Sequence, residues 1–209
     1  MPSTSSSAYC QARQKIEQSE LKGILAHTTS QLTQQHSVKN NLESRRVIVV
    51  DGTGVSMPDT QSNQEQWPQQ RHQKQGCGFP QARICACFDL RSGGVLSYQI
   101  GNRKQQELPL LRQQWDTFKA GDIFLGDKGF CSFYDVHKFS IRDVDSVITL
   151  ARRKPVTAAN ADKILGKDDL LVHWPKPKWN KNLSYSKEEW QALPEKIPLR
   201  QIKVNVDEP

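Results

Sequence analysis

Apolar residues recur along the chain at two kinds of spacing, and these spacings predict its secondary structure. Short apolar or alternating runs predict five strands, at 47–50, 82–90, 95–100, within the run 123–130, and at 144–150. Three- and four-residue steps predict helices over about 8–35 and 105–119, and a further helix is expected over 132–141. The order of three strands, helix, strand, helix, strand mixes a hairpin with crossover helices. It therefore predicts an α/β fold built on a mixed sheet.

An aspartate lies at the carboxyl end of two of the predicted strands. The run V-I-V-V at 47–50 is followed by Asp51 in a D-G-T-G loop, and the run that begins at residue 123 leads to Asp127 and a glycine turn. If the first strand lies beside the fourth, these carboxylates meet, and they repel unless a divalent cation lies between them. A pair of Mg²⁺ ions held in this way promotes in-line attack on phosphorus. The alternative is that each Asp only caps the turn that follows it.

The last quarter of the chain is basic. Residues 151–181 contain eight Lys or Arg and three Asp, and a strand-like run follows at 199–206. This stretch, with Trp174 and Trp179 interleaved, is suited to following a DNA backbone and stacking on a frayed end. The alternative is a solvated charged face in which the tryptophans anchor loops. The whole chain has 29 Lys plus Arg against 22 Asp plus Glu, which favours a polyanionic partner.

Cysteine usage and the N-terminal sequence bear on the compartment. The chain has five cysteines, an odd number without the spacing of a disulfide framework. Cys85 and Cys87 lie two apart in a predicted strand, which favours buried thiols over half of a zinc site. The sequence has neither a secretory signal nor an apolar run long enough to span a membrane. We expect a cytoplasmic protein.

The chain resembles bacterial insertion-sequence transposases of the Asp/Asp/Glu class, specifically the insertion-sequence-four family. The motifs that carry the resemblance are V-V-D-G-T-G-V-S-M-P-D-T at 49–60, N-Q at 63–64, G-C-G-F-P at 76–80 and G-D-K-G-F at 126–130. The similarity extends from residue 9 to about residue 206. It implies a ribonuclease H-like fold, two Mg²⁺ ions that Mn²⁺ can replace, and DNA transposition by phosphodiester cleavage and strand transfer.

The resemblance also assigns residues and partners. Asp51 in D-G-T becomes the first catalytic, metal-binding acid, and Asp127 in G-D-K-G-F becomes the second. The implied partners are double-stranded DNA, as terminal inverted repeats and target, and further copies of the chain, with no membrane and an association with the nucleoid. The expected DNA-binding residues are Lys128, which replaces the usual family Arg, and Arg152, Arg153, Lys154, Lys176 and Lys178.

The family's third acid, the Glu of a Tyr-x-x-Arg-x-x-x-Glu motif, has no counterpart in the sequence. Glu188, Glu189 and Glu195 lie in a segment that resembles the family's β-rich insertion, and we expect them at the surface. We therefore expect an inactive fragment, truncated at both ends. Its expected parts are a remnant of a helical N-terminal region (1–46), a ribonuclease H-like core (47–150) and an incomplete basic β-rich insertion (151–209).

Other functions fit parts of the sequence. A phosphatase of the haloacid dehalogenase type also has a D-G-T loop, but it needs a nucleophilic Asp where Val49 stands. A non-catalytic remnant that binds DNA, or that dimerises with a full-length transposase and modulates it, would need no third acid. A decayed reading frame without a role is a third alternative.

Overall fold

The computed structural model describes residues 6–35, 45–69, 74, 76–102, 106–150 and 156–204. Its α-helices are α1 (Ser6–Gln14), α2 (Gln18–Gln35), α3 (Gln61–Gln66), α4 (Glu107–Arg112), α5 (Phe133–Ser140) and α6 (Lys187–Gln191). Its strands are β1 (Val47–Ser56), β2 (Gln81–Asp89), β3 (Val95–Asn102), β4 (Ile123–Gly126), β5 (Asp145–Ile148), β6 (Lys163–Gly166), β7 (Asp169–Pro175) and β8 (Lys196–Ile202). Short 3-10 helices span Trp115–Thr117, Lys128–Phe130 and Ala158–Asn160. No helix within these residues is long and apolar enough to cross a membrane.

A five-stranded mixed sheet in the order β3-β2-β1-β4-β5 forms the centre of the fold. Strand β2 is antiparallel to both β1 and β3, whereas β4 is parallel to both β1 and β5. The predicted mixed α/β sheet is confirmed, and the first strand does lie beside the fourth. The arrangement agrees with the ribonuclease H-like fold that the resemblance implies.

Strand β1 is longer than predicted. The D-G-T-G segment does not leave the sheet, because β2 continues to pair with it from Asp51 opposite Ala86 to Ser56 opposite Gln81. The parallel ladder with β4 nevertheless stops at Val50 opposite Gly126. Asp51 therefore lies inside a strand but just beyond the end of the parallel ladder, and the prediction of a loop at 51–54 is wrong.

Two predicted helices are divided or shortened. The stretch 8–35 forms α1 and α2 with a break between them, and the stretch 105–119 forms only α4 and a 3-10 turn. After α4, the buried side chain of Gln114 donates hydrogen bonds to the carbonyls of Cys85 and Leu110 and accepts one from Ser97. Since these bonds satisfy polar groups of β2 and β3 in the interior, they favour a turn at Gln114 over further helix.

The main core lies between this sheet and helices α4 and α5. Its buried members are Ile48, Val50, Cys85, Cys87, Leu110, Leu111, Phe118, Phe124, Phe130, Phe139 and Val144. Phe124 and Phe139 stack with ring centroids 4.6 Å apart. The predicted burial of the two cysteine thiols is confirmed, and burial raises the pKa of Cys85 to about 12 and that of Cys87 to about 11.

A second, antiparallel sheet of order β6-β7-β8 follows the first. Beside it lies a second cluster of buried residues, Phe133, Tyr134, Leu193 and Ile197, against which Trp174, Tyr185 and Trp190 also pack. Trp174 contacts Phe133 edge to face at 5.6 Å. This packing supports an anchoring role for Trp174 over stacking on DNA.

Arg112, at the end of α4, joins the two clusters. Its guanidinium donates to both carboxylate oxygens of Asp135 at 2.7 and 2.6 Å, and also to the carbonyl and hydroxyl of Ser184. The guanidinium also lies over the stacked rings of Tyr134 and Tyr185. The ion pair is enclosed, since the Asp135 side chain is only 1% exposed.

We predict that Cys85 and Cys87 resist alkylation in the folded protein while Cys10 and Cys77 react. The thiolate is the reactive form, and Cys85 and Cys87 are buried and keep their protons near pH 8, whereas Cys10 and Cys77 are exposed. Iodoacetamide labelling followed by mass spectrometry measures each site, with urea-unfolded protein as the control. Equal labelling of all four cysteines in the folded state would contradict this prediction.

We also predict that Arg112→Met lowers the free energy of unfolding by about 3–5 kcal/mol, because it leaves the Asp135 carboxylate buried without its cation. Urea denaturation measures the change. Arg200→Met is the matched control, since it breaks an exposed ion pair with Asp169. Similar losses in both variants would show that burial of the Arg112 pair has no special weight.

Candidate metal centre

Asp51 occupies an exposed position beside a buried, fixed segment of β1. The preceding residue, Val50, is 2% exposed and packs in the main core. Asp51 pairs with Ala86 of β2, and its Oδ1 accepts a hydrogen bond from the N–H of Gly52 at 2.8 Å. The backbone is therefore held by the core on one side of Asp51 and by β2 on the other, while the carboxylate faces solvent.

Asp127 occupies the corresponding position on β4. It directly follows Gly126 and is the N-cap of the 3-10 helix Lys128–Phe130, where its Oδ1 accepts from the N–H of Gly129 at 2.8 Å. Phe130, 1% exposed, fixes this helix to the core. The capping alternative thus describes one carboxylate oxygen of Asp127. In the part of the chain that the structure describes, its Oδ2 has no hydrogen-bond partner.

The pairing of β1 with β4 brings the two aspartates together. Val50 lies opposite Gly126 in the parallel ladder, and the next residues are Asp51, still in β1, and Asp127, which follows β4. Adjacent strands are separated by about 4.8 Å. Both sequence-predicted acids therefore follow the same end of the β1–β4 ladder.

The carboxyl group of Glu107 lies over the backbone of Gly52, the residue that follows Asp51. Its Cδ, Oε1 and Cγ atoms are 2.4–2.6 Å from the point that a Cβ on Gly52 would occupy. Its Oε2 is 3.5 Å from the corresponding point on Gly129, and Asp127 Oδ1 is 3.0 Å from that point. Glu107 Oε2 and Asp127 Oδ1 therefore lie no farther apart than the sum of their two distances from the Gly129 point. Sequence reasoning missed Glu107, because no spacing links it to either aspartate.

Carboxylate oxygens are the ligands that Mg²⁺ and Mn²⁺ prefer, so the donors at this site fit such a cation. The absence of a Cβ at Gly52 leaves the room that the Glu107 side chain fills. As positioned, no three His, Cys, Asp or Glu side chains among the described residues are close enough together to hold one ion. The donor type therefore suits such a cation, whereas the side chains as placed do not form a complete ion site.

The expected DNA-binding residues have different positions. Lys128 is exposed and directly follows Asp127, and Lys178 is exposed between β7 and α6. Arg152, Arg153 and Lys154 lie outside the described residues.

Lys176 is directed inward. Its Nζ donates to the carbonyls of Gln191 and Leu193, lies 4.4 Å from the Trp190 ring centroid and pairs with Glu195. The side chain is 6% exposed. Carbonyls at the end of a helix attract a cation, so α6 holds this ammonium group away from solvent. As placed, Lys176 cannot contact a phosphate, which corrects that part of the sequence-based expectation.

Comparison with known proteins gives the family. Similar solved structures include the Mos1 transposase paired-end complex with left transposon end, with 14% identity, a TM-score of 0.33, and coverage of 66% of this chain and 44% of that chain. The Mos1 strand transfer complex gives 15% identity, a TM-score of 0.33, and coverage of 60% and 40%. The chain thus spans less than half the length of either. No curated protein matches it.

A match to a protein family covers more of the chain than these solved structures do. Residues 42–202 match the family described as transposase DDE domain. This match takes in both sheets, both aspartates and Glu107. The chain therefore belongs to the transposase DDE domain family.

Proposed function

We propose that this protein acts in DNA transposition and that Asp51 and Asp127 are metal-binding acids of its phosphodiester chemistry. The observation that supports the proposal is the parallel pairing of Val50 with Gly126, because an exposed aspartate directly follows each of these partners. Membership of the family supplies the class of reaction. The finer assignments below go beyond that membership.

The roles of the protein groups follow from their geometry. Divalent cations held there would supply activation of a water or hydroxyl nucleophile and stabilisation of the leaving oxygen at phosphorus. Asp51 and Asp127 would hold such ions through their solvent-facing oxygens. The N–H groups of Gly52 and Gly129 keep each carboxylate oriented by donating to its Oδ1. Lys128, the residue after Asp127, would meet the phosphate backbone next to the reacting bond.

We propose the terminal inverted repeats of an insertion sequence of the insertion-sequence-four group as the substrate, with a second DNA as the target. The motifs at 49–60 and 126–130 support this group, and the net positive charge supports a DNA partner. Cut-and-paste chemistry acts on two DNA ends, so we further propose that copies of the chain associate.

We also propose that this polypeptide alone cleaves and joins DNA slowly. The family's Tyr-x-x-Arg-x-x-x-Glu motif does not occur in the 209 residues. Without that acid, alignment of the nucleophile and binding of the second ion are both weakened, which costs orders of magnitude in rate. Binding of the cation and of DNA, by contrast, does not require the complete set.

We predict that Asp51→Asn and Asp127→Asn each weaken Mn²⁺ binding at least about tenfold. Each substitution removes a negative ligand but keeps an oxygen that can accept from the N–H of Gly52 or Gly129. Isothermal titration calorimetry at low ionic strength measures the dissociation constant.

The control for this experiment is Asp116→Asn, which alters an exposed aspartate in the 3-10 helix Trp115–Thr117. Its Mn²⁺ affinity should equal that of the unsubstituted protein. If all three variants bind Mn²⁺ equally well, the metal-binding role of Asp51 and Asp127 is wrong.

We predict that Lys128→Gln and Lys178→Gln each reduce the salt dependence of DNA binding. Every phosphate contact contributes about 0.9 to the slope of log affinity against log salt, so each loss should lower the slope by about that amount. Fluorescence anisotropy with a labelled duplex, from 50 to 200 mM salt, gives the slope. Lys176→Met keeps the apolar contact with Trp190 and should leave the slope unchanged, and an equal effect in all three variants would contradict the proposed surface.

A further inference from the structure

Phe79 is an aromatic side chain that the fold holds in solvent. It lies in the connection between β1 and β2, after α3, and it is 63% exposed. Its neighbours in the chain differ from it, because Gly78 is buried and Pro80 is fully enclosed. A single exposed apolar residue is common on protein surfaces. Phe79 is distinct because the backbone on both sides of its ring is anchored.

Gln64 of α3 fixes the chain before the ring. Its Nε2 donates to the carbonyl of Gly78 at 3.2 Å and to Oδ1 of Asp59 at 2.6 Å. Its Oε1 accepts from the N–H of Gln69 at 3.0 Å. One glutamine side chain thus links the segment before Phe79 to two other parts of the same connection.

Backbone hydrogen bonds fix the chain after the ring. The carbonyl of Pro80 accepts from the N–H of Met57 at 2.9 Å, and the N–H of Gln81 donates to the carbonyl of Trp67 at 3.1 Å. Met57 directly follows β1, and Gln81 is the first residue of β2. The ring of Phe79 therefore projects from a backbone that is held by both strands and by α3.

The chemistry around the ring suits a nucleobase better than a protein. Helix α3 has the sequence Q-S-N-Q-E-Q and buries none of its residues, and Lys74 ahead of the ring is exposed. One exposed ring supplies far less than the roughly 800 Å² per partner of a stable protein interface. It does match the face of one base, and amide and ammonium groups suit base edges and phosphates.

Strand β1 connects the ring with the candidate metal centre. Asp51 lies opposite Ala86 and Ser56 lies opposite Gln81, so the ladder runs five steps from the acid towards the ring. Five steps of strand span about 17 Å. This is roughly the length of five nucleotides along one DNA strand. DNA whose phosphodiester lies at Asp51 can therefore reach Phe79 within a few nucleotides.

We propose that the ring of Phe79 stacks on an unpaired base of the DNA substrate, a few nucleotides from the reacting phosphodiester. The inference rests on the proposed function for its DNA partner. Bases of a duplex are already stacked on their neighbours, so the ring accepts a base only where the strand is unpaired. Stacking on an aromatic ring tolerates every base, so the expected preference is for unpaired DNA and not for a sequence.

The test compares two labelled probes by fluorescence anisotropy, a blunt duplex and the same duplex with a single-stranded oligothymidine tail. We expect Phe79→Ala to weaken binding of the tailed probe about fivefold or more. Binding of the blunt duplex and the melting temperature should stay unchanged, because the side chain is exposed. Phe79→Trp should retain the affinity for the tail, since it keeps an aromatic face.

Two further variants serve as controls. Phe79→Leu keeps an apolar side chain without a ring, and it should lose affinity for the tail as Phe79→Ala does. Ile141→Ala is the matched surface control, since Ile141 is 61% exposed and lies at the end of α5. Its affinity for both probes should not change. Analytical ultracentrifugation of each variant tests whether the ring instead contacts a second copy of the chain.

The outcomes separate this inference from the proposed function. Loss of affinity for the tail alone in Phe79→Ala and Phe79→Leu, with Phe79→Trp and Ile141→Ala unchanged, supports the inference. Full affinity for the tail in Phe79→Ala or Phe79→Leu overturns it, and so does an equal loss on both probes. A smaller assembly in Phe79→Ala with intact binding of the tail also overturns it. If the unsubstituted chain binds both probes equally, only this inference fails. If it binds neither, the proposed DNA partner fails as well.

Discussion

The parallel pairing of β1 with β4 is the constraint on which the candidate site depends. These strands are distant in the sequence, and between them the chain makes a hairpin and a helix that return it to the same edge. The pairing is held by Ile48 and Val50 on one strand and Phe124 on the other, all buried in the main core. Apolar packing thus fixes the backbone positions of two exposed aspartates at one end of the ladder.

Much of the main sheet can be predicted from the sequence, because apolar runs and turn residues indicate local structure. The five strands of the main sheet follow from these patterns, whereas the neighbouring position of the first and fourth strands was only the condition for the two aspartates to meet. The continuation of β1 through Gly52 and Gly54 does not follow from the patterns. Glycine pairs indicate a turn, and only the presence of β2 on the other side of the strand keeps this segment extended.

Side-chain direction is the part of the site that the sequence could not supply. Glu107 lies over Gly52 because α4 packs across the sheet, and that placement is a tertiary property. Lys176 is the opposite case. In the sequence it is one more positive charge in a basic segment, but its ammonium group donates to carbonyls at the end of a helix. Counting charges along a chain does not distinguish exposed lysines from internal ones. The number of basic residues in 151–181 is therefore larger than the number of exposed positive charges that a ligand could contact.

The short length of α4 has a mechanical consequence. The six residues from Glu107 to Arg112 form a rod about 9 Å long, with the acid at one end and the arginine at the other. Arg112 is tied to Ser184 in the segment before α6, and to Asp135 on α5. A displacement of the segment before α6 would therefore pass through Arg112 to α4, whose other end carries the carboxyl group over Gly52.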